Sequence, residues 1–156
     1  MKPRLSGWFG VTFSKAERKD KAQGRYFDFS YDRPLDMKLV VNYRQSSKWT
    51  FGGKWVYRSG KPYTPVIGIN GFYPDGSVRP VYGELNSERL PDYHALDLRA
   101  ERAYLHNRWK MALYFEVMNV YAQQNIEGYT YNRDYSKKKP VHGLPIIPFV
   151  GIRAEF

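Results

Sequence analysis

Three histidines, His94, His106 and His142, are the side chains in this sequence best suited to acid–base or metal chemistry. Proton transfer needs a partner group within hydrogen-bond reach, and a metal site needs several ligands at a recognisable spacing. The three histidines are scattered. His94 and Asp97 are an odd number of positions apart, which places them on opposite faces of a strand. The sequence also contains no cysteine, and we therefore expect no enzyme activity, no metal site and no cofactor.

The chain is strongly basic, with a formal net charge of +10 and basic runs at 15–25 and 137–139. Such runs suit nucleic-acid phosphates, anionic lipid headgroups or simply a solvated loop. A single-strand binder needs cations and stacking rings on one surface, whereas these cations lie in loops and opposite the aromatic rings. We expect no nucleic-acid partner. A soluble β-sheet module that binds nucleic acid or another partner through basic loops is the alternative.

Tyrosine is frequent, with 14 residues in the chain. A tyrosine ring gives a large contact area at a low cost in conformational entropy, so tyrosines in polar connecting segments are candidates for stacking on sugars or on aromatic ligands. The candidates for ligand contact are Tyr63, Tyr73, Tyr82, Tyr129, Tyr131 and Tyr135.

Six segments that alternate between apolar and polar residues must position these groups. In one of them, Leu35, Met37 and Leu39 alternate with Asp36 and Lys38, and a period of two is typical of a strand with different surroundings on its two faces. We expect an all-β, antiparallel up-and-down meander of about six long strands. Their expected bounds are roughly 5–14, 35–45, 48–59, 93–103, 108–119 and 146–156.

The rows opposite the apolar residues carry charges of both signs. They are Asp36, Lys38, Lys54, Asp97, Arg99, Glu101, Lys110, Glu116, Arg153 and Glu155. A soluble β-sandwich alternates in the same way, but two observations favour a transmembrane β-barrel. Trp and Tyr lie near the ends of the apolar rows, as in an aromatic belt, and mixed charges suit the wall of a water-filled lumen.

The connections between the strands also alternate, in length. Those at 45–48 and 104–108 are short, whereas those at 15–34, 59–93 and 120–145 are long and polar. Three structureless loops of this length are rare in a compact soluble domain. Short periplasmic turns and long extracellular loops are typical of outer-membrane barrels. We therefore expect this protein to lie in the bacterial outer membrane.

The last strand has the pattern expected of a signal for barrel assembly. Its apolar row consists of Val150, Ile152, Ala154 and the terminal Phe156. Chain ends are usually frayed and polar, so an apolar row that ends on an aromatic residue needs an explanation. We expect the barrel-assembly machinery to recognise this row; a strand end packed in a soluble core is the alternative.

Several motifs occur in an order that resembles the C-terminal part of the β-barrel of TonB-dependent outer-membrane receptors. The resemblance covers essentially the whole chain, and the third motif combined with the terminal Phe is fairly specific. The motifs are Tyr-Asp-Arg-Pro at 31–34, Ser-Gly-Lys-Pro-Tyr-Thr-Pro at 59–65, Arg-Leu-Pro-Asp-Tyr-His-Ala-Leu-Asp-Leu-Arg at 89–99, Val-Met-Asn-Val-Tyr at 117–121 and Gly-Ile-Arg-Ala-Glu-Phe at 151–156.

The resemblance implies a twenty-two-stranded barrel with an N-terminal plug, which imports a siderophore, vitamin or carbohydrate with energy relayed through TonB. Residues 1–156 would supply about the last six strands, without a plug, a TonB box or a signal sequence. The expected partners are outer-membrane lipid, lipopolysaccharide, the assembly machinery and the rest of the barrel, with TonB reached only through the plug. Six strands would leave two open edges in lipid, and small membrane barrels use 8 strands, so transport by this chain alone is not expected.

Overall fold

A computed structural model describes residues 4–21, 24–105 and 109–155. All regular elements in these ranges are β-strands, and their pairs are antiparallel, which confirms the predicted fold class at this level. Within the same ranges, no helix is long and apolar enough to cross a membrane. The strands are β1 Arg4–Phe13, β2 Glu17–Lys19, β3 Tyr26–Asp28, β4 Leu35–Arg44, β5 Trp49–Arg58, β6 Pro62–Tyr63, β7 Val66–Phe72, β8 Val78–Tyr82, β9 Glu88–Arg89, β10 Tyr93–Leu105, β11 Lys110–Met118, β12 Ile126–Tyr131, β13 Lys138–His142 and β14 Ile147–Glu155.

The six long strands form one sheet in the order β1-β4-β5-β10-β11-β14, in which each long strand pairs with the next one along the chain. Their bounds differ from those expected from the alternation by one or two residues at most. The sheet is open among the described residues, because β1 and β14 each have one paired neighbour. The meander places the three long connections at one end of the sheet, which we call the loop end.

The long connections are not structureless, and this part of the prediction is wrong. Each contains a hairpin, namely β2–β3, β7–β8 and β12–β13, and the second also contains the β6–β9 pair. Tight turns close two of these hairpins. The Asp75 carboxylate accepts the backbone N–H of Ser77 at 2.9 Å, and the Asp134 carboxylate accepts that of Ser136 at 3.0 Å. Such side-chain-to-backbone bonds let a polar segment form a turn without apolar burial.

One face of the six-stranded sheet is apolar and largely exposed. Strand registers align its residues in rows across all six strands. One such row is Leu5, Tyr43, Phe51, Ala100, Phe115 and Val150. At its two ends, Leu5 and Val150 expose about 70% of their surface (72% and 69%). Apart from His94 and Arg102, which lie on this face toward the two ends of β10, the face is an exposed apolar surface rather than half of a closed core.

Buried apolar residues are few and lie mainly where the loops join the sheet. Val56, Leu90 and Ala95 are the clearest examples at this junction. Buried polar residues occur beside them, namely Asp32, Asn86, Asn119 and Asn125. Within the described ranges, no buried side-chain nitrogen or oxygen lacks a hydrogen-bond partner. At the loop end, hydrogen bonds between buried polar groups therefore hold the segments together where an apolar core is small.

Candidate functional site: a charged sheet face and a tyrosine cleft

The ten charged residues singled out from the sequence all lie on the face opposite the apolar rows. Five are acidic and five basic, and nine of them form ion pairs. The tenth, Lys110, lies opposite Glu155 in the register and has no ion-pair partner among the described residues. These ten residues balance in sign, but Arg4, Arg44 and Arg58 lie on the same face by register, so the face as a whole carries an excess of positive charge.

Arg99 is the centre of the charged face. Its guanidinium donates to Glu101 at 2.8 Å and to Glu116 at 3.1 Å, and it stacks on the ring of Tyr114 at 3.7 Å. Arg153 donates to the second oxygen of Glu101 at 3.0 Å. One network therefore connects β10, β11 and β14.

A second group of ion pairs connects β4, β5 and β10. Lys54 of β5 pairs with Asp97 of β10 at 2.9 Å, and Asp97 also accepts the backbone N–H of Asn119 at 3.0 Å. Asp36 of β4 pairs with Arg58 of β5 at 3.1 Å and with Lys38 at 3.2 Å. These contacts cross-link neighbouring strands and fix their register, which is a structural role that needs no ligand.

Arg89 holds the bases of two long connections together. Its guanidinium donates to the carboxylates of Asp28 and Asp32 and to the backbone carbonyl of Gly60. The Asp32 side chain is fully buried and also accepts the backbone N–H of Ala16 at 2.6 Å. Burial raises the pKa of Asp32, but the bonds from Arg89 and Ala16 lower it by more, so the net shift is downward.

Two buried asparagines fix the other loop bases. Asn125 accepts the backbone N–H of His94 and donates to its carbonyl, as a neighbouring strand would. Asn119, in the left-handed region at φ 50°, donates to the carbonyls of Gln123 and Leu144. Sequence reasoning missed these asparagines and Arg89. The only available signal was that Asn tolerates left-handed backbone in turns.

Five of the six predicted loop tyrosines line one cleft between the β7–β8 and β12–β13 hairpins. This tyrosine cleft is an open depression of about 750 Å³. The rings that line it are those of Tyr73, Tyr82, Tyr129, Tyr131 and Tyr135. Segments more than forty positions apart thus form one aromatic surface, although the sequence alone placed these rings only in loops.

The sixth tyrosine, Tyr63, packs behind the cleft against Tyr129, with ring centroids 5.1 Å apart. Its hydroxyl donates to Glu88 and accepts from Lys138 Nζ at 2.7 Å. Lys138 lies 3.8 Å from the Tyr129 ring centroid. Burial and the bond to Glu88 raise the pKa of Tyr63, and the hydrogen bond to Tyr63 raises that of Lys138. These contacts fix the rear wall of the cleft.

The histidines do not come together. His94 Nδ1 lies 2.8 Å from the Tyr121 hydroxyl, whereas Asp97 lies on the other face of β10. His142 is in β13, opposite Ile126, and His106 lies outside the described residues. Across the described ranges, no group of three or more His, Cys, Asp or Glu side chains is arranged to hold a metal ion.

The apolar row of β14 lies on the exposed face. Val150, Ile152 and Ala154 are paired with Phe115, Leu113 and Met111 of β11. Phe156, the last member of the expected assembly signal, lies outside the described residues. No protein-family model matches this chain, and no curated protein or solved structure matches it either.

Proposed function

We propose that this chain is the C-terminal part of the β-barrel of a TonB-dependent outer-membrane receptor, located in the bacterial outer membrane. The observation that carries the proposal is the asymmetry of the six-stranded sheet. One face is apolar and exposed along all six strands, while the opposite face is lined with paired charges. An apolar exterior with a polar interior is the arrangement that a lipid-spanning barrel requires.

The open edges support a role as part of a larger assembly. β1 and β14 each leave one row of backbone N–H and C=O groups without a strand partner among the described residues. Such groups cost several kcal/mol each in hydrocarbon, so further barrel strands would have to pair with both edges. In this proposal the sheet is barrel wall, and a plug upstream would contact TonB and the lumen charges.

The proposal also assigns the two ends of the sheet. The loop end, with its three hairpins, would face the outside and meet the imported siderophore, vitamin or carbohydrate together with lipopolysaccharide. The 45–48 turn would face the periplasm, and Val150, Ile152, Ala154 and Phe156 would be read by the assembly machinery. The ion pairs of the charged face favour this proposal over a nucleic-acid-binding module, because cations paired with carboxylates, such as Lys54 and Arg99, are not free to neutralise phosphates.

Membrane fractionation of cells that express the protein tests the proposal. We expect the chain in the outer-membrane fraction, resistant to carbonate extraction, with a faster gel migration before boiling in SDS than after. Recovery of a folded monomer in detergent-free buffer would contradict the proposal and would favour a soluble β-sheet module.

A further inference from the structure

We propose that the tyrosine cleft binds an anionic saccharide, a sugar chain that carries carboxylate or phosphate groups. This inference rests on the proposed function in one respect, since it takes the loop end as the surface that meets the external medium. It goes further by assigning one ligand chemistry to one cleft, and its evidence comes from the residues of the cleft.

The cleft has the size and the construction of a ligand site. Its volume of about 750 Å³ lies in the range of roughly 300–1,000 Å³ that is typical of small-molecule pockets. Its walls come from two hairpins, each closed by a turn with an internal Asp–Ser hydrogen bond. The Tyr131 hydroxyl accepts the backbone N–H of Val66 at 3.4 Å, which ties one wall to the other.

Two of the five rings that line the cleft are well exposed. Tyr82 exposes 60% of its surface and Tyr73 exposes 44%, although both line a concave site. Tyr131 and Tyr135 are stacked with centroids 5.4 Å apart, so their orientation is fixed before a ligand arrives. An exposed ring such as that of Tyr82 offers an apolar plane with a hydroxyl at its edge, which suits the alternating C–H and O–H groups of a sugar. Arg79 lies over the Tyr73 ring and Lys138 over the Tyr129 ring.

The remaining lining is rich in neutral hydrogen-bonding groups. Thr64, Ser77, Thr130 and Asn132 all line the cleft. Hydroxyl and amide groups both donate and accept, as the hydroxyls of a sugar do. Thr64, Ser77 and Asn132 already form hydrogen bonds within the protein, but each of their oxygens has a further lone pair. The lining can therefore accept hydrogen bonds from the hydroxyls of a sugar.

The charges of the cleft select an anionic saccharide. Arg133 lines the cleft, Arg79 lies 4.8 Å from the Tyr73 ring centroid, and Lys138 lies 3.8 Å from that of Tyr129. Within the described ranges, none of the three forms an ion pair and no carboxylate lines the cleft. This differs from the charged face, where most cations have an acidic partner. Asp75 and Asp134 of the hairpin turns, and Glu88, which shares the Tyr63 hydroxyl with Lys138, lie outside the lining. The charge within the lining itself is that of Arg133, which matches an acidic sugar chain.

Two sources supply this chemistry, namely acidic polysaccharide from outside the cell and the phosphorylated core of the cell's own lipopolysaccharide. Isothermal titration of the full chain, folded in detergent micelles or in outer-membrane vesicles, separates them. The probes are tetragalacturonate, deacylated lipopolysaccharide core and, as a neutral control, maltotetraose. We expect saturable binding of at least one anionic probe and binding of maltotetraose that is at least about tenfold weaker, because hydrogen bonds to charged groups are the stronger ones.

Variants locate the binding in the cleft. Arg133→Gln and Tyr82→Ala should each weaken binding of the anionic probe about tenfold, and both change exposed side chains. The matched controls are Arg25→Gln and Tyr31→Ala, which alter an exposed cation and an exposed tyrosine outside the cleft. The controls should bind like the unaltered chain.

Each outcome decides the inference. Binding of the lipopolysaccharide core alone supports it and identifies the cell's own surface as the source. The inference is overturned if neither anionic probe binds, if maltotetraose binds as tightly, or if the cleft variants behave like their controls. Fractionation of the same preparations separates the two proposals. An outer-membrane protein without saccharide binding contradicts the cleft assignment alone, whereas a soluble chain contradicts the proposed function whatever it binds.

Discussion

At the loop end, one residue, Arg89, joins two of the long connections. Arg89 reaches two carboxylates and two backbone carbonyls, those of Asp32 and Gly60, and so joins the first and second long connections. A guanidinium suits this position because its donors are arranged in a rigid fork and it keeps its charge at every relevant pH. Removing it would leave the fully buried carboxylate of Asp32 without its cation.

Arg89→Met should lower the free energy of unfolding by about 3 kcal/mol, because breaking a buried ion pair leaves an uncompensated charge. The amide of Ala16, which donates to Asp32, should also exchange its hydrogen faster. Urea unfolding and hydrogen exchange measure the two effects. Arg25→Met is the control, since Arg25 pairs with Glu84 on the surface, and should cost less than about 1 kcal/mol. Equal losses in the two variants would contradict the role given to Arg89.

Acid should loosen the same region. The folded-state pKa of Asp32 is lowered from its ordinary value of 3.8, so its contribution to stability is complete above that value and is lost as pH falls below it toward the folded pKa. Hydrogen exchange at Ala16, followed from pH 6 downward, should show this loss. Asp32→Asn should remove this part of the pH dependence, and an unchanged profile in that variant would assign the transition to other carboxylates.

Whether a side-chain contact could be predicted from the sequence depends on how far apart its partners lie along the chain. The ten charges of the sheet were assigned to one face because the direction of a side chain in a strand depends only on odd or even position. Their partners were not predictable, since Lys54 and Asp97 meet only through the register of β5 and β10. Arg89 was missed for the same reason, as its acidic partners lie about sixty positions earlier.

At the scale of elements, the long strands were predictable and the short hairpins were not. The long strands alternate over nine or more residues, which gives a clear period. β7 and β8 are interrupted by irregular pairing, and this hides their alternation. The Pro-Asp-Gly sequence at 74–76 was nevertheless a usable turn signal. The tyrosine cleft could not be predicted from the sequence alone, because it depends on the positions of the β7–β8 and β12–β13 hairpins relative to each other.

The close approach of the backbone at Gly60 to the backbone at Leu90 gives a test at the scale of elements. A Cβ at Gly60 would lie 1.6 Å from the carbonyl oxygen of Leu90, whereas a Cβ at Gly68 would meet nothing within 4 Å. Gly60→Ala should therefore displace the β6–β9 pair and impair folding, while Gly68→Ala should be tolerated. Circular dichroism and thermal unfolding of both variants measure the difference. Similar melting temperatures would show that the backbone at Gly60 can move aside cheaply.

At the scale of the whole molecule, two isoleucines with equal exposure distinguish a lipid-facing surface from a water-facing one. Ile152 on the apolar face exposes 68% of its surface, and Ile67 in the β7–β8 hairpin exposes 67%. If the apolar face contacts lipid, Ile152→Arg should cost about 1–2 kcal/mol, between the midplane and interface values, because its row also contains Arg102 near the turn end of the sheet. The amount of protein in the outer membrane should fall. Ile67→Arg should change neither quantity.

Quantitative blotting of outer-membrane fractions and urea unfolding provide the two measurements. In water, arginine at either exposed position would have a small effect, usually within about 0.5 kcal/mol. Equal tolerance of the two substitutions would thus argue for a soluble protein, and the sheet would then need a different explanation for its exposed rows.

The two walls of the tyrosine cleft have a thermodynamic consequence for the sheet beneath them. The β7–β8 hairpin connects β5 with β10, and the β12–β13 hairpin connects β11 with β14. A molecule that binds across both walls, and not to the unfolded chain, stabilises the folded state by RT ln(1 + [L]/Kd). At a free ligand concentration a hundred times Kd, this amounts to about 2.7 kcal/mol. Ligand binding at the loop end should therefore make the long strands more resistant to unfolding.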